Sequence, residues 1–138
     1  MVFDCRFLKN PNWVETLKNS DGTKKDVSAY IRKDKSWAIF RDYLKGMVLH
    51  VIPAFEKEGK YYLSIGFGCT GGRHRSVFVS QFLYDELKKR KLSVELMQGP
   101  SRHANAGDSW YARSTAYAAK VGVPKGSQLD NKPGGWHE

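Results

Sequence analysis

Apolar residues crowd into three short runs of this chain and, between those runs, recur at every third or fourth position. Val2 to Leu8 reads as a buried strand closed by Lys9-Asn10-Pro11-Asn12. Trp13, Val14 and Leu17 then begin a short helical or irregular stretch that turns at Ser20-Asp21-Gly22. Asp26 is placed to cap a short helix through Ile31, and Ser36 a longer one in which Trp37, Phe40, Leu44, Met47, Val48, Val51 and Phe55 form a core-facing stripe. Tyr61 to Gly68 is a second strand. The helix expected from about Arg75 buries Phe78, Val79, Phe82, Leu83 and Leu87, and ends in Lys88, Lys89, Arg90 and Lys91, cations that suit a helix C-terminus. Leu92 to Met97 makes a third strand. This order predicts an α/β domain, a small and mostly parallel sheet flanked by helices, with ligands at the carboxyl ends of the strands.

The pattern changes at Gly99. Residues 1–98 read as the folded domain, and residues 99–138 as a tail rich in glycine, alanine, serine and proline. Within the tail a helix is expected over residues 109–121, presenting Trp110, Tyr111 and Tyr117 before Gly122 and Pro124 stop it. Arg102, His103 and Arg113 interleave cations with those rings, which fits packing of an extra helix first, a lid over a ligand second, and stacking on single-stranded nucleic acid third.

The candidate chemistry lies between the second strand and the following helix, in Cys69-Thr70-Gly71-Gly72-Arg73-His74-Arg75-Ser76. Two glycines let successive N–H groups converge, the helix N-terminus adds its positive end, and Arg75 offers a two-pronged grip. That combination predicts an anion-binding loop suited to phosphate. It lacks the Gly-x-x-x-x-Gly-Lys-Ser/Thr arrangement of a nucleoside triphosphate P-loop and is no dinucleotide fingerprint. Thr70 is expected to contact the ligand through its hydroxyl. Arg73 and His74 flank the glycines, one of them facing outward, where Arg73 can touch an RNA backbone and His74 can titrate near neutral pH or stand as a solvated loop side chain. Asp4 and Arg6 share a strand face, so they either pair with each other or reach the pocket.

The same loop has the Cys-x-x-Gly-x-x-Arg-Ser spacing of cysteine-dependent phosphatases, with Cys69 as nucleophile and Arg75 as oxyanion clamp. Such an enzyme also needs a carboxylic acid for the leaving oxygen, for which Asp4 and Asp108 are the candidates. The competing reading makes Cys69 a small pocket-lining residue. A metal site at His103 and His137 has no supporting ligand spacing, and neither a metal nor a cofactor is expected.

Composition narrows the partners. The 138 residues are 41% hydrophobic and 13% aromatic, enough for one domain with a real core. No apolar run approaches the ~20 residues of a membrane span, and the N-terminal stretch carries Asp4 and Arg6, so neither a membrane partner nor export is expected. Two cysteines, read as thiols, suit a reducing cytoplasm. The net charge of +9 lies mainly before Gly99 and favours a polyanion, RNA first, with Lys88 to Lys91 and Arg73 as candidate contacts. The plainer reading of that charge is solubility alone.

Phe3-Asp4-Cys5-Arg6-Phe7-Leu8-Lys9-Asn10-Pro11 and Gly68 to Val77, with Glu58 to Leu63 between them, resemble the C-terminal domain of the RapZ family of RNase adapter proteins over roughly residues 2–97. The resemblance implies a fold related to the sugar-phosphate part of phosphofructokinase, sensing of glucosamine-6-phosphate, and binding of structured small RNAs for presentation to a ribonuclease. It also implies an oligomer, and carries ligand contacts to Asp4, Cys69, Thr70, Gly71, Gly72 and Arg75. Asn12 stands where family members often have a histidine of the ligand site, and the long tail from Gly99 replaces a short basic C-terminus used for RNA. The family's N-terminal kinase-like domain is expected to be absent, so its nucleotide hydrolysis is not carried over. The expectation is therefore a regulatory module that holds an aminosugar phosphate or a nucleotide at Asp4, Asn12 and Cys69 to Ser76 and binds RNA. The alternatives are a Cys69 phosphatase and a module of phage or mobile-element origin that sequesters a signalling nucleotide or phosphosugar.

Overall fold

The computed structural model describes residues 1–59, 62–97 and 117–122. In chain order they form β1 (Val2–Asp4), a 3-10 turn (Pro11–Trp13), α1 (Lys25–Arg32), α2 (Lys35–Lys57), β2 (Tyr62–Gly68), α3 (Arg75–Lys89), β3 (Ser93–Met97) and β4 (Tyr117–Gly122). The sheet order is β1-β2-β4-β3. β1 pairs with β2 in parallel, and β4 runs antiparallel to both β2 and β3. Three of the four strands thus point the same way, the α/β architecture expected, with β4 inserted between two of them.

Trp37 of α2 is the centre of the core. Its ring meets Phe78 at 4.6 Å and Phe82 at 4.9 Å, both edge-on and both from α3. Leu44, Val48 and Ile52 continue the buried face of α2, while Val79, Leu83 and Leu87 carry that of α3. Lys45 and Glu86 close the same helix pair at the surface, 3.4 Å apart. On the sheet side lie Leu63, Ile65 and Phe67 of β2, and α3 packs across β2, β3 and β4. Among the described residues no helix is long and apolar enough to cross a membrane.

Several local expectations are corrected. The first strand stops at Asp4 rather than Leu8, because the Asp4 carboxylate accepts the Arg6 backbone N–H at 3.0 Å and turns the chain. α2 is capped by Asp34, which accepts the Ser36 N–H at 2.9 Å through one oxygen and the Lys9 N–H at 2.8 Å through the other. Ser36 is therefore inside the helix. Asp26 lies in the first turn of α1, not at its cap. Met47 is exposed, and Ile52 takes a core place instead. The helix expected over 109–121 is overturned where it can be seen: Tyr117–Gly122 is a strand, because its backbone bridges β2 and β3 and satisfies both. The other residues singled out in the tail, including Trp110, Tyr111, Arg102, His103, Arg113 and Asp108, lie outside the described residues.

Candidate functional site

β1 and β2 end side by side, and the chain leaves both at the same edge of the sheet. The loop after β2 runs from Cys69 to His74 and enters α3 at Arg75, while the segment after β1 runs on to the 3-10 turn and is tied to the loop by Arg75 at the Arg6 and Leu8 carbonyls. Between them lies a cavity of about 300 Å³. Asn10 and Asn12 line it from the 3-10 turn, and Cys69, Thr70, Gly71, Arg73, His74 and Arg75 line it from the loop and the start of α3. Asn10 was missed by sequence reasoning. Its side-chain oxygen accepts the Asn12 N–H at 3.1 Å, so the Asn-Pro-Asn turn that presents both amides is itself the signal that pointed there.

Arg75 decides the electrostatics. It is 5% exposed, and its guanidinium donates to the carbonyl oxygens of Arg6 at 2.7 Å and Leu8 at 3.2 Å, and to Thr70 Oγ1 at 3.3 Å. Among the described residues no carboxylate pairs with it. Three bonds use three of five N–H donors. The cation is therefore held in place by neutral dipoles beside a cavity, with no carboxylate partner among the described residues. α3 begins at the same point with no side-chain cap, which adds the positive end of the helix.

The loop is built to hold a thiol as well. Gly72 adopts φ 63°, a left-handed conformation that glycine takes without strain. Cys69 Sγ lies 3.1 Å from the Ser76 hydroxyl. Burial pushes the Cys69 thiol up, but the Ser76 hydroxyl, the Ser76 and Gly72 backbone N–H groups and the Arg75 charge outweigh it and leave its pKa below the usual thiol value. Gly72 and the fully buried Ser76 thus serve the sulfur and do not line the cavity.

His74 is neither outward nor solvated. It is buried, and its Nε2–H donates to the Leu17 carbonyl at 3.2 Å. Burial first, then the Arg73 charge, lower its pKa against the opposing carbonyls of Leu17, Lys18 and Ser20, so it is a neutral anchor of the loop. Arg73 is the exposed member, donating to the Lys18 carbonyl at 3.3 Å. Gly22 fixes the same corner: its N–H donates to the Arg73 carbonyl at 3.0 Å, and a β-carbon there would overlap the His74 carbonyl and stand 2.5 Å from the Phe78 nitrogen.

Asp4, like Gly72 and Ser76, does not line the cavity. Both its oxygens engage Arg6, the closest contact being 2.6 Å, and the pair is solvent-exposed. Arg6 is the main reason its pKa is lowered, with the Arg75 charge a smaller one. Lys88, Lys89, Arg90 and Lys91 are exposed at the far end of α3, a helix of 15 residues and hence roughly 22 Å long. They share no wall with the cavity. Among the described residues no cluster of His, Cys, Asp or Glu could hold a metal ion, and His103 and His137 lie outside them.

A sequence model described as the RapZ C-terminal domain matches residues 1–99. A nucleotide-binding protein of Jannaschia sp. (strain CCS1) is 46% identical over 103 residues, covering 75% of this chain and 31% of that protein. A nucleotide-binding protein of Cereibacter sphaeroides (strain KD131) is 53% identical over 87 residues, covering 63% and 29%. One from Novosphingobium aromaticivorans is 41% identical over 97 residues, covering 70% and 32%. The chain spans about a third of the length of the curated relatives it matches.

Proposed function

Since this chain belongs to the RapZ C-terminal domain family, we propose that it is a regulatory binding module whose loop from Cys69 to Arg75 holds the phosphate of a small molecule, a nucleotide or a phosphosugar. The observation that carries this reading is the buried Arg75 guanidinium, fixed by carbonyls and without a carboxylate partner among the described residues, at a cavity next to a helix N-terminus with no side-chain cap. A dianion supplies the missing charge and accepts the free donors. Asn10 and Asn12, which line the same cavity, address the ligand's hydroxyl or amino groups. The names of the relatives favour a nucleotide.

RNA is the second partner in this reading, held by Lys88 to Lys91 and by Arg73. Such binding weakens steeply with salt and loses part of that slope when the four end-of-helix cations are replaced. A membrane plays no part in this reading.

The small-molecule half is tested by thermal stabilisation against a panel of nucleotides, cyclic nucleotides and sugar phosphates. A ligand at ~100 times its dissociation constant stabilises by about 2.7 kcal/mol, several degrees for a domain of this size. The shift is expected to vanish in Arg75→Gln and to shrink in Thr70→Val. Stabilisation by no compound, or equally in Arg75→Gln, contradicts the site.

One observation favours a second reading, a cysteine phosphatase: the Cys69 sulfur is hydrogen-bonded to Ser76 and its pKa is lowered at a loop of the right length before Arg75. Slow hydrolysis of an aryl phosphate, abolished in Cys69→Ser, supports it, and a wild type without turnover excludes it.

A further inference from the structure

We infer that Cys69 and Cys5 form a peroxide-reactive pair, in which Cys69 is the attacking thiol and Cys5 resolves it into a disulfide within the chain. The sheet places them. β1 and β2 pair in parallel with Phe3 opposite Phe67 and Asp4 opposite Gly68. The ladder continues one step further, since the Cys5 N–H donates to the Gly68 carbonyl at 2.7 Å, the bond that sets Cys5 opposite Cys69. Side chains alternate between faces, so Phe3 and Cys5 share a face with Phe67 and Cys69. The two phenylalanine rings are stacked, 5.5 Å apart and 19° from parallel, and the cysteines are the next pair along that face. Neighbouring strands lie ~4.8 Å apart, inside the range of about 4.4 to 6.8 Å that a disulfide bridges between Cα atoms. Burial is the main reason the Cys5 thiol is pushed up, and the Cys69 charge comes next.

The two thiols are unequal in the way such a pair needs. Cys69 lines a cavity of about 300 Å³, ample for a peroxide, and its thiolate is stabilised by Ser76, Gly72 and Arg75. Cys5 is fully buried behind it and holds its proton. The Cys69 thiolate attacks one oxygen of the peroxide and the O–O bond breaks. Hydroxide leaves, takes a proton to become water, and the sulfur is left as a sulfenic acid. The Cys5 sulfur then attacks the Cys69 sulfur, the S–O bond breaks, and the hydroxyl leaves as water with the Cys5 proton. Two thiols and one peroxide become one disulfide and two waters, the two electrons passing from sulfur to oxygen. The new bond ties the phosphate loop to β1 and withdraws the Cys69 sulfur from the cavity wall. Any effect on ligand binding rests on the function proposed above, whereas formation of the bond does not.

The test treats the full chain, without ligand, with a small molar excess of hydrogen peroxide, blocks remaining thiols by alkylation, and reads intact mass and non-reducing peptide maps. The wild type is expected to yield a monomer lighter by two hydrogens, with the Cys5 and Cys69 peptides cross-linked and the change reversed by dithiothreitol. Cys5→Ser is expected to stop at a sulfenic acid on Cys69, trapped by dimedone, and Cys69→Ser to leave Cys5 reduced at the same dose. Two free thiols in treated wild type overturn the proposal whatever the variants do. Oxidation of Cys5 at the wild-type rate in Cys69→Ser overturns the assignment of the attacking thiol.

Discussion

Arg75 and Cys69 show how far a single residue's chemistry depends on what surrounds it. An arginine at a helix start is usually solvated, but here the carbonyls of Arg6 and Leu8 hold it under cover, with no carboxylate paired to it among the described residues. A thiol as buried as Cys69 is usually inert, but N–H groups and a hydroxyl aimed at its sulfur favour the thiolate. The folded-state pKa is lowered, so the reactive form appears at lower pH than in an ordinary cysteine. Alkylation rate measured against pH is therefore expected to rise with a midpoint below that of a free thiol, and Ser76→Ala to move the midpoint upward. A midpoint unchanged by Ser76→Ala contradicts the role given to that hydroxyl. The loop was legible in the sequence because two glycines, a cation and a strand-to-helix switch leave few other readings. Asp4 was legible only as a choice. Strand alternation allows it either to pair with Arg6 or to reach the pocket, and the turn geometry decides for Arg6, in an exposed pair.

At the scale of elements, the site is held by contacts between segments far apart in sequence. Gly22 touches the first turn of α3 so closely that no β-carbon fits, and it is hydrogen-bonded to Arg73. Gly22→Ala is expected to destabilise by about 2 kcal/mol or more through overpacking against backbone, lowering Tm by several degrees and weakening phosphate binding together. A denaturation curve and affinity matching the wild type contradict this account of the corner. Trp37→Ala is expected to cost about 3 to 5 kcal/mol by emptying the contact between α2 and α3. Helices with long apolar stripes, α2 and α3, were readable from spacing. β4 was not, because Tyr-Ala-Ala-Lys-Val-Gly carries alanines that suit a helix, and its strand form is imposed by the open edges of β2 and β3 on either side. The capping error at α2 has a similar cause: Asp34 and Ser36 are both good caps, and Asp34 wins by serving Lys9 as well.

For the molecule as a whole, the parallel pair β1 and β2 sends two chain segments to one edge of the sheet, and α3 brings its N-terminus to the same edge. The anion site therefore follows from the topology as much as from the motif. The net charge of +9 favours polyanions, and the basic end of α3 lies a helix length from the cavity, so the phosphate ligand and the RNA proposed above would be held by different parts of one domain. The central claim is that phosphate binds at the loop. The most direct measurement is a backbone amide titration by NMR with the ligand that gives the largest thermal shift. The largest chemical-shift changes are expected at the amides of Thr70 to Ser76 and at the Arg75 side chain, and to be lost in Arg75→Gln. Saturable changes elsewhere that leave those amides unmoved would contradict the site.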